Sequence, residues 1–216
     1  DGKTWFGTNN KGVIGYDGPL VSLKVSALAT TPDGSLWVGS PQNGLTRILD
    51  GNASFFSAAR DSGRTIIDDH INALCTDKTG SLWIATNGGM QVYNPKMNTF
   101  STYTKENGKL STNNITSLHY GHNNNLLVGT SEGLMVLNLS TTERTILTGN
   151  STNLKTFTND YITTVTQDTR GLIWVGTREG VNVLNLANDS LNYITESEGL
   201  CNNCICGITE DKNKNM

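Results

Sequence analysis

Few side chains in this sequence could do chemistry, and the densest group of them is a cluster of cysteines. Cys201, Cys204 and Cys206 form a C-x2-C-x-C pattern, and Cys75 lies far from them in the sequence. A structural zinc site needs four ligands, and neither a second C-x2-C nor a pair of histidines follows the cluster. A metal site is therefore not expected. Cys75 and Cys206 fall in segments that should be β-strands, which predicts small buried thiols at both, and an oxidising compartment would permit a disulfide between Cys201 and Cys204.

Groups for acid–base or nucleophilic catalysis are equally scarce. The three histidines are His70, His119 and His122, and no serine or cysteine recurs beside them. Although His119 and His122 have a metal-like spacing, we interpret them as part of a solvent-facing turn. Asp68 and Asp69 would suit a glycosidase or a lyase only if two carboxylates met across a pocket. With no phosphate-binding glycine-rich loop and no nucleophile elbow, the sequence predicts no catalytic residues, no metal and no cofactor.

Composition and charge narrow the function classes further. The chain has 216 residues, of which 36% are hydrophobic and 16% charged, and its net charge is −3 at pH 7. This balance gives no basic surface for nucleic acid or for an anionic membrane. No apolar run approaches the roughly 18 residues of a membrane span. The 23 glycines are typical of a protein with many tight hairpins, because glycine supplies the positive φ that such turns need.

The elements that must position these residues are indicated by a motif that occurs five times. Its clearest copy reads Arg-Gly-Leu-Ile-Trp-Val-Gly-Thr at residues 170–177. All four tryptophans of the chain occupy one position of this motif, and a leucine occupies it in the fourth copy. The five positions are Trp5, Trp37, Trp83, Leu127 and Trp174, spaced by 32, 46, 44 and 47 residues. A period of about 45 residues with strand-like content predicts a β-propeller.

Each repeat unit contains four short segments typical of β-strands. In the last complete unit they are residues 161–167, 172–176, 181–185 and 191–194. The turn at 168–171 has Asp first and Gly fourth, as a type I turn prefers. No stretch keeps a 3.6-residue apolar period over three turns, so helices should be few. We therefore expect an all-β fold of propeller blades, each with four antiparallel strands.

The units at the two ends of the chain differ from the others. The first is short, with only eight residues between Tyr16 and Val25, so its outermost strand should be abbreviated or missing. The last unit is cut at Met216, at the repeat position of Thr4. We expect residues 1–216 to form one propeller segment of about five units, part of a larger, seven-bladed propeller. A five-bladed ring closed by pairing of the two ends is the alternative.

The repeat resembles that of the two-component regulator propeller family. The shared pattern is Asp-Gly, then Leu-Trp-Val-Gly-Thr, then Gly-Leu two residues later. Its clearest copies are residues 33–45, 79–90 and 170–181, with the lead-in 199–203. The resemblance covers the chain from end to end. Its departures, Leu127 for Trp and Ala85 for Gly, concern the packing of single blades.

This resemblance implies the periplasmic sensor region of a hybrid two-component system, from a bacterium that degrades polysaccharides. The ligand would be an oligosaccharide, and the signal would pass to a histidine kinase outside this sequence. The partners would be the remaining blades and sensor domains of the parent chain, with a homodimer in the full receptor. The membrane would be reached only through that parent, and this segment would bind no nucleic acid. A propeller carbohydrate-active enzyme (glycosidase or lyase) and a protein-interaction scaffold are the alternatives.

Ligand-binding residues should lie in loops and not at the tryptophans, whose fixed place in every unit indicates packing between blades. Two loop sets should share one face: the turns joining the second and third strands, and the connections into each first strand. The candidates are Arg178, Glu179, Tyr161, Asp160, Asn87, Glu132 and His70. The same loops hold Asn10, Lys11, Gln42, Asn43, Asp68, Asp69, Asn113 and Asn114. Arg178 and Tyr161 are the best individual candidates, because they depart from the small residues at equivalent positions.

Overall fold

Among the described residues, the regular secondary structure is almost entirely β-strand. The structure, a computed structural model, describes residues 5–8, 11–15, 18–21, 24–58, 65–149 and 156–216. Within these ranges the strands form one three-stranded and four four-stranded antiparallel sheets. The described helical segments are two short 3-10 turns, His122–Asn124 and Glu196–Glu198. The all-β prediction is confirmed.

The strands follow one another in each sheet in the order of the chain. They are β1 (Phe6–Gly7), β2 (Val13–Gly15), β3 (Gly18–Val21), β4 (Ala27–Thr30), β5 (Leu36–Gly39), β6 (Leu45–Leu49), β7 (Asn52–Phe56), β8 (Ile71–Thr76), β9 (Leu82–Thr86), β10 (Gly89–Asn94), β11 (Thr99–Tyr103), β12 (Ile115–Tyr120), β13 (Asn125–Thr130), β14 (Gly133–Asn138), β15 (Arg144–Leu147), β16 (Ile162–Gln167), β17 (Ile173–Thr177), β18 (Gly180–Asn185) and β19 (Ser190–Ile194).

The chain divides into two compact units, Asp1–Asn114 and Ile115–Met216. The first unit contains the sheets β1–β3, β4–β7 and β8–β11, and the second contains β12–β15 and β16–β19. Each four-stranded sheet is an antiparallel meander, which is the propeller blade expected from the repeat. Its second and third strands are the best buried, and in β5 and β9 every residue is buried.

The first sheet of the described residues contains the outermost strand that was expected to be abbreviated or missing. β1 follows Trp5 and pairs with β2, which pairs in turn with β3. These three strands therefore correspond to the second, third and fourth strands of the other blades. β3 is as long as β15, the outermost strand of another blade. The prediction of an abbreviated or missing outermost strand is wrong, because the short span between Tyr16 and Val25 still accommodates a four-residue strand.

The tryptophans of the motif pack between blades. Trp37 in β5 is completely buried, and its ring centroid lies 5.7 Å from that of Phe56 and 5.0 Å from that of Tyr93. Tyr93 belongs to the next blade, so the indole fills the space between two sheets. Leu127, which replaces tryptophan in β13, is also completely buried. The predicted packing role is confirmed at both positions.

The glycine of the motif lies where the next blade approaches most closely. A Cβ atom on Gly39 would lie 2.5 Å from Cγ2 of Ile71, the first residue of β8. The same contact recurs between Gly129 and Ile162, at 2.8 Å, and between Gly176 and Ile205, at 2.7 Å. A larger residue would push the neighbouring strand away. Packing between blades therefore favours glycine at this position, and alanine, the next smallest residue, replaces it only at Ala85 among the five copies of the motif.

The cysteines are more accessible than the sequence predicted. Cys206 is exposed, and no strand pairs with its segment among the described residues. The prediction of a buried thiol is wrong there, because the side chain has no second strand to pack against. Cys75 lies in β8 opposite Trp83 and is only half-buried. Cys201 and Cys204 are exposed thiols that form no disulfide with each other.

The histidine segment of the fourth unit is also placed differently. His119 is half-buried in β12, where it lies opposite Leu127. The prediction of a solvent-facing turn is wrong for this residue, because β12 continues to Tyr120 and the chain turns only after it. His122 does lie in the exposed turn, at the start of the first 3-10 segment.

Candidate functional site

Within each unit, the two predicted loop sets meet at one end of the blades, which we call the loop end of that unit. Because the strands alternate in direction, each turn between a second and a third strand lies beside a connection into a first strand. In the first unit, Nδ2 of Asn72 donates to Oδ1 of Asn87 in the β9–β10 turn, at 2.8 Å. In the second unit, the guanidinium of Arg178 in the β17–β18 turn lies over the ring of Tyr161, which precedes β16. Its Cζ is 3.8 Å from the ring centroid.

A threonine at the end of the second strand fixes the turns of the loop end. Oγ1 of Thr177 accepts the N–H of Glu179 at 3.0 Å and donates to the carbonyl oxygen of Gly180 at 2.9 Å. Thr86 and Thr130 make the same two bonds in other blades. The Gly-Thr of the repeat motif therefore holds the hairpin, and the two residues at its tip project from a rigid support.

The connections into the first strands are tied by a side-chain oxygen two residues before each strand. Oδ1 of Asp160 accepts the backbone N–H of Gly149, which joins the end of one blade to the start of the next. Equivalent bonds run from Ala58 to Asp69 at 2.8 Å, from Lys105 to Asn113 at 2.7 Å and from Glu196 to Asn203 at 2.8 Å. The carboxylate of Asp160, predicted as a ligand contact, thus has a structural partner as well.

Arg178 differs from the arginines that stabilise turns. Arg47 and Arg170 form ion pairs with aspartates, with N–O distances of 2.6 and 2.7 Å. Arg178 is exposed and forms no ion pair in the part of the chain that the structure describes. A cation–π contact at an exposed site is worth about 0.5–1 kcal/mol. That is enough to favour one orientation of the guanidinium over the half-buried ring of Tyr161.

The other predicted site residues lie in the same loops without joining that pair. Glu179 and Glu132 are exposed at the tips of their turns, and His70 is half-buried just before β8. Among the described residues, no hydrogen bond or ion pair links these side chains to Arg178. Asn10 lies outside the described residues.

Asp168 is a buried carboxylate in the turn before β17, at the end of the second unit's blade opposite the loop end. Asp168 is completely buried, and its Oδ2 accepts the indole N–H of Trp174 at 3.1 Å. Burial alone would raise the pKa of Asp168. The hydrogen bonds from Trp174, Arg170 and Leu172, with the positive charge of Arg170, outweigh burial and hold this pKa below its ordinary value. A carboxyl group with a shifted pKa can mark a catalytic site. The carboxylate of Asp168, however, is already hydrogen-bonded to its own turn and to the indole of Trp174.

Each buried indole N–H needs a local acceptor, and the structure identifies the acceptors that the sequence analysis did not name. Trp83 donates to Oδ2 of Asp77 at 2.9 Å, and Trp37 donates to Oγ1 of Thr31 at 3.0 Å. In these blades and at Trp174 the acceptor lies six residues before the tryptophan. That constant offset is visible in the sequence and would have identified the acceptors.

A cavity of about 540 Å³ in the first unit involves none of the predicted site residues. It is lined by Ala58, Thr65, Ile66, Ile67, Gln91, Asn98, Thr99, Phe100 and Thr102. The amide of Gln91 in its wall is already satisfied, because it donates to Thr102 at 3.2 Å and accepts the N–H of Ile67 at 2.9 Å. The loop end is therefore the stronger candidate site.

Within the described ranges, no group of three or more His, Cys, Asp or Glu side chains could hold a metal ion. Across those ranges, no helix has both the length and the apolar character that a membrane span requires.

The family model described as two component regulator propeller matches two segments of the chain, residues 65–88 and 156–179. Each segment runs from the connection before a first strand to the turn after the second strand. The later segment includes Tyr161 and Arg178. The chain therefore carries two-component regulator propeller repeats, as its motif indicated. A comparison with curated proteins finds no match.

Solved structures similar to this chain come from longer proteins. One, from B. thetaiotaomicron, is described as the extracellular domain of a hybrid two component system; it is 22% identical, with a TM-score of 0.76 over 88% of this chain and 26% of that one. Another, the extracellular domain of a one component system from the same organism, is 18% identical, with a TM-score of 0.74 over 88% of this chain and 27% of that one. Virginiamycin B lyase from Staphylococcus aureus is 11% identical, with a TM-score of 0.59 over 79% and 55%.

These similarities establish the class of fold, a β-propeller. The chain spans about a quarter of the length of the two extracellular domains that it matches.

Proposed function

We propose that this protein is a ligand-sensing propeller segment from the periplasmic region of a hybrid two-component sensor. The observation that carries the proposal is the match of two blades to two-component regulator propeller repeats. The similarity to extracellular domains of hybrid two component and one component systems supports it. On this proposal the segment performs no catalysis, and a histidine kinase of the parent protein receives the signal.

The proposed ligand is an oligosaccharide bound at the loop end. Sugar hydroxyls need both donors and acceptors. The loop end of the second unit offers Arg178, Glu179 and Glu132, and the loop end of the first unit offers Asn87. These groups sit on turns that the threonine bonds hold rigid, so little ordering would be needed on binding. Asp160 lies on the adjoining connection in the second unit, and His70 lies on the corresponding connection in the first.

Sensing would also require partners outside this segment. A ligand changes an equilibrium only if it binds two arrangements of the receptor with different affinity. We propose that these arrangements belong to a homodimer of the full receptor, built with the remaining blades and sensor domains of the parent chain. The membrane would be reached only through that parent.

Calorimetric titration of the 216-residue protein with a panel of defined neutral and acidic oligosaccharides tests the proposal. We expect one class of oligosaccharide to bind saturably and to be recovered intact by chromatography. The double variant Arg178→Gln, Tyr161→Ala should weaken binding about tenfold, as the loss of one charge-assisted hydrogen bond would. Arg144→Gln, an exposed arginine in β15, is the matched control and should leave binding unchanged.

Two results would overturn parts of this proposal. An absence of binding across the panel would reject oligosaccharide sensing by this segment. Release of shortened products would instead favour the alternative of a propeller carbohydrate-active enzyme.

A further inference from the structure

Among the described residues, the guanidinium of Arg178 contacts a ring with its face, and its N–H groups have no partner. Its Cζ lies 3.8 Å from the ring centroid of Tyr161. In the described part of the chain, its N–H groups make no ion pair and no hydrogen bond. Arg47 and Arg170 show the contrast, because each gives its N–H groups to a neighbouring aspartate.

This arrangement determines what the pair can offer a ligand. The five N–H donors of a guanidinium point outward in its plane, so stacking on a ring leaves them available. The same contact covers one face of the Tyr161 ring, and a sugar cannot stack on that face. The pair therefore presents a planar fork of donors, which matches a carboxylate in bidentate geometry.

Both residues of the pair stand on backbone that is already fixed. Thr177, before Arg178, bonds within its turn and lies 3.0 Å from the hydroxyl of Thr158. The N–H of Tyr161 donates to Oδ1 of Asn159 at 2.8 Å. A guanidinium held in place by a ring on a fixed loop loses little freedom when it binds an anion.

Neighbouring carboxylates do not occupy the fork. Glu179, the next residue in the chain, forms no ion pair with Arg178 among the described residues. Asp160, the residue before Tyr161, accepts the backbone N–H of Gly149. The donors of Arg178 thus remain open to an acceptor from outside.

We propose that Arg178, oriented by Tyr161, is a carboxylate-binding subsite, and that the ligand of this segment carries a uronic acid. That the ligand is a sugar rests on the proposed function, and that it carries a negative charge is inferred from Arg178. A sulfate ester presents similar anionic oxygens, so the experiment includes one.

The experiment is a nuclear magnetic resonance titration of the 216-residue protein with sodium glucuronate, glucose 6-sulfate and methyl glucoside. We expect glucuronate to shift the Nε–H resonance of Arg178 saturably, glucose 6-sulfate to bind more weakly, and methyl glucoside to leave the resonance unmoved. Arg178→Gln should weaken glucuronate binding at least about tenfold. Arg178→Lys should recover only part of the loss, because an ammonium group lacks the planar fork.

Variants of the neighbours separate positioning from charge. Tyr161→Phe keeps the ring and should bind glucuronate as the unmodified protein does, whereas Tyr161→Ala should bind several-fold more weakly. Glu179→Gln removes a nearby negative charge and should bind equally or more tightly. Unfolding midpoints close to that of the unmodified protein would show that these exposed-loop variants fold.

The outcomes distinguish this inference from the proposed function. Equal responses to glucuronate and methyl glucoside, or unchanged glucuronate binding in Arg178→Gln, would overturn the carboxylate subsite. If neutral oligosaccharides bind at the loop end while glucuronate does not, the subsite fails and the sensing proposal stands. If glucuronate binds at Arg178 but no oligosaccharide binds, the subsite stands and the proposed ligand fails.

Discussion

The indole N–H of Trp174 donates to the buried carboxylate of Asp168, with 3.1 Å between Nε1 and Oδ2. Oδ1 of the same carboxylate accepts the backbone N–H groups of Arg170 and Leu172 at 3.0 and 2.9 Å. One side chain therefore holds both the turn before the second strand and the tryptophan within that strand.

Replacing Asp168 should destabilise its blade. We expect Asp168→Asn to lower the free energy of unfolding by about 1–3 kcal/mol, because an amide cannot satisfy all the buried donors that the carboxylate accepts. Asp189→Asn is the matched control: Asp189 is exposed, and asparagine tolerates its positive φ of 51°. The control should change stability by less than about 0.5 kcal/mol. Urea unfolding followed by fluorescence measures both, and equal losses would show that the Asp168 contacts do not stabilise the blade.

The same residue should make stability depend on acid pH. The folded-state pKa of Asp168 lies below the ordinary value of 3.8. Its ionised form therefore stabilises the protein above that pH, and this contribution is lost as the pH falls through the ordinary value towards the folded one. We expect the urea midpoint to fall between about pH 5 and about pH 3, with a smaller fall in Asp168→Asn. An identical pH dependence in the unmodified protein and in Asp168→Asn would contradict the assignment, while Asp189→Asn should retain the full slope.

The blades were predictable from the sequence because one local pattern carries several constraints at once. In the motif, the small residue two positions after the tryptophan allows a close approach of the next blade, as at Gly39. The hydroxyl residue after it bonds across the hairpin, as at Thr177. Because these constraints recur in every blade, the copies of the motif can be aligned with one another, and the alignment predicts the strands. The loop end followed from the alternation of strand direction alone.

Individual side-chain partners were not predictable in the same way. The long, flexible side chain of Arg178 lies over the ring of Tyr161 on a separate loop. The sequence period does not specify the orientation of that side chain. Cys206 was expected to be buried, but it is exposed, because no strand among the described residues pairs with its segment. Both outcomes depend on three-dimensional neighbours that sequence spacing does not specify.

The contact between Gly39 and Ile71 should show energetic coupling. Gly39→Ala places a Cβ against Cγ2 of Ile71 and should cost about 1–3 kcal/mol through overpacking. Ile71→Ala should cost about 2–5 kcal/mol, and the double variant should cost less than the sum of the two single variants by at least about 0.5 kcal/mol. Gly207→Ala is the control, because nothing lies within 4 Å of its Cβ position. Strict additivity in this double-mutant cycle would rule out the proposed close approach.

Substitutions at Asp160 should separate its structural role from a role in binding. Asn113 and Asn203 make the equivalent bond with an amide, so Asp160→Asn should preserve the free energy of unfolding. Asp160→Ala should lower it by about 1 kcal/mol, since the N–H of Gly149 loses its acceptor. If the charge of Asp160 also contacts a ligand, Asp160→Asn should weaken ligand binding without changing the urea midpoint. A large loss of stability in Asp160→Asn would contradict this structural role. It would mean that the negative charge of Asp160, and not its hydrogen bond to Gly149, stabilises the connection.

The exposed cysteines should react with thiol reagents in the folded, unreduced protein. Cys201, Cys204 and Cys206 are solvent-exposed, whereas Cys75 is half-buried in β8, and access controls thiol reactivity. We expect three thiols to be modified rapidly and Cys75 more slowly, as measured by absorbance with a chromogenic disulfide reagent and by mass spectrometry of the labelled peptides. Prior reduction, the control, should not raise the number of reactive thiols. If Cys201 and Cys204 reacted only after reduction, they would be joined by a disulfide, and the free thiols of the structure would be incorrect.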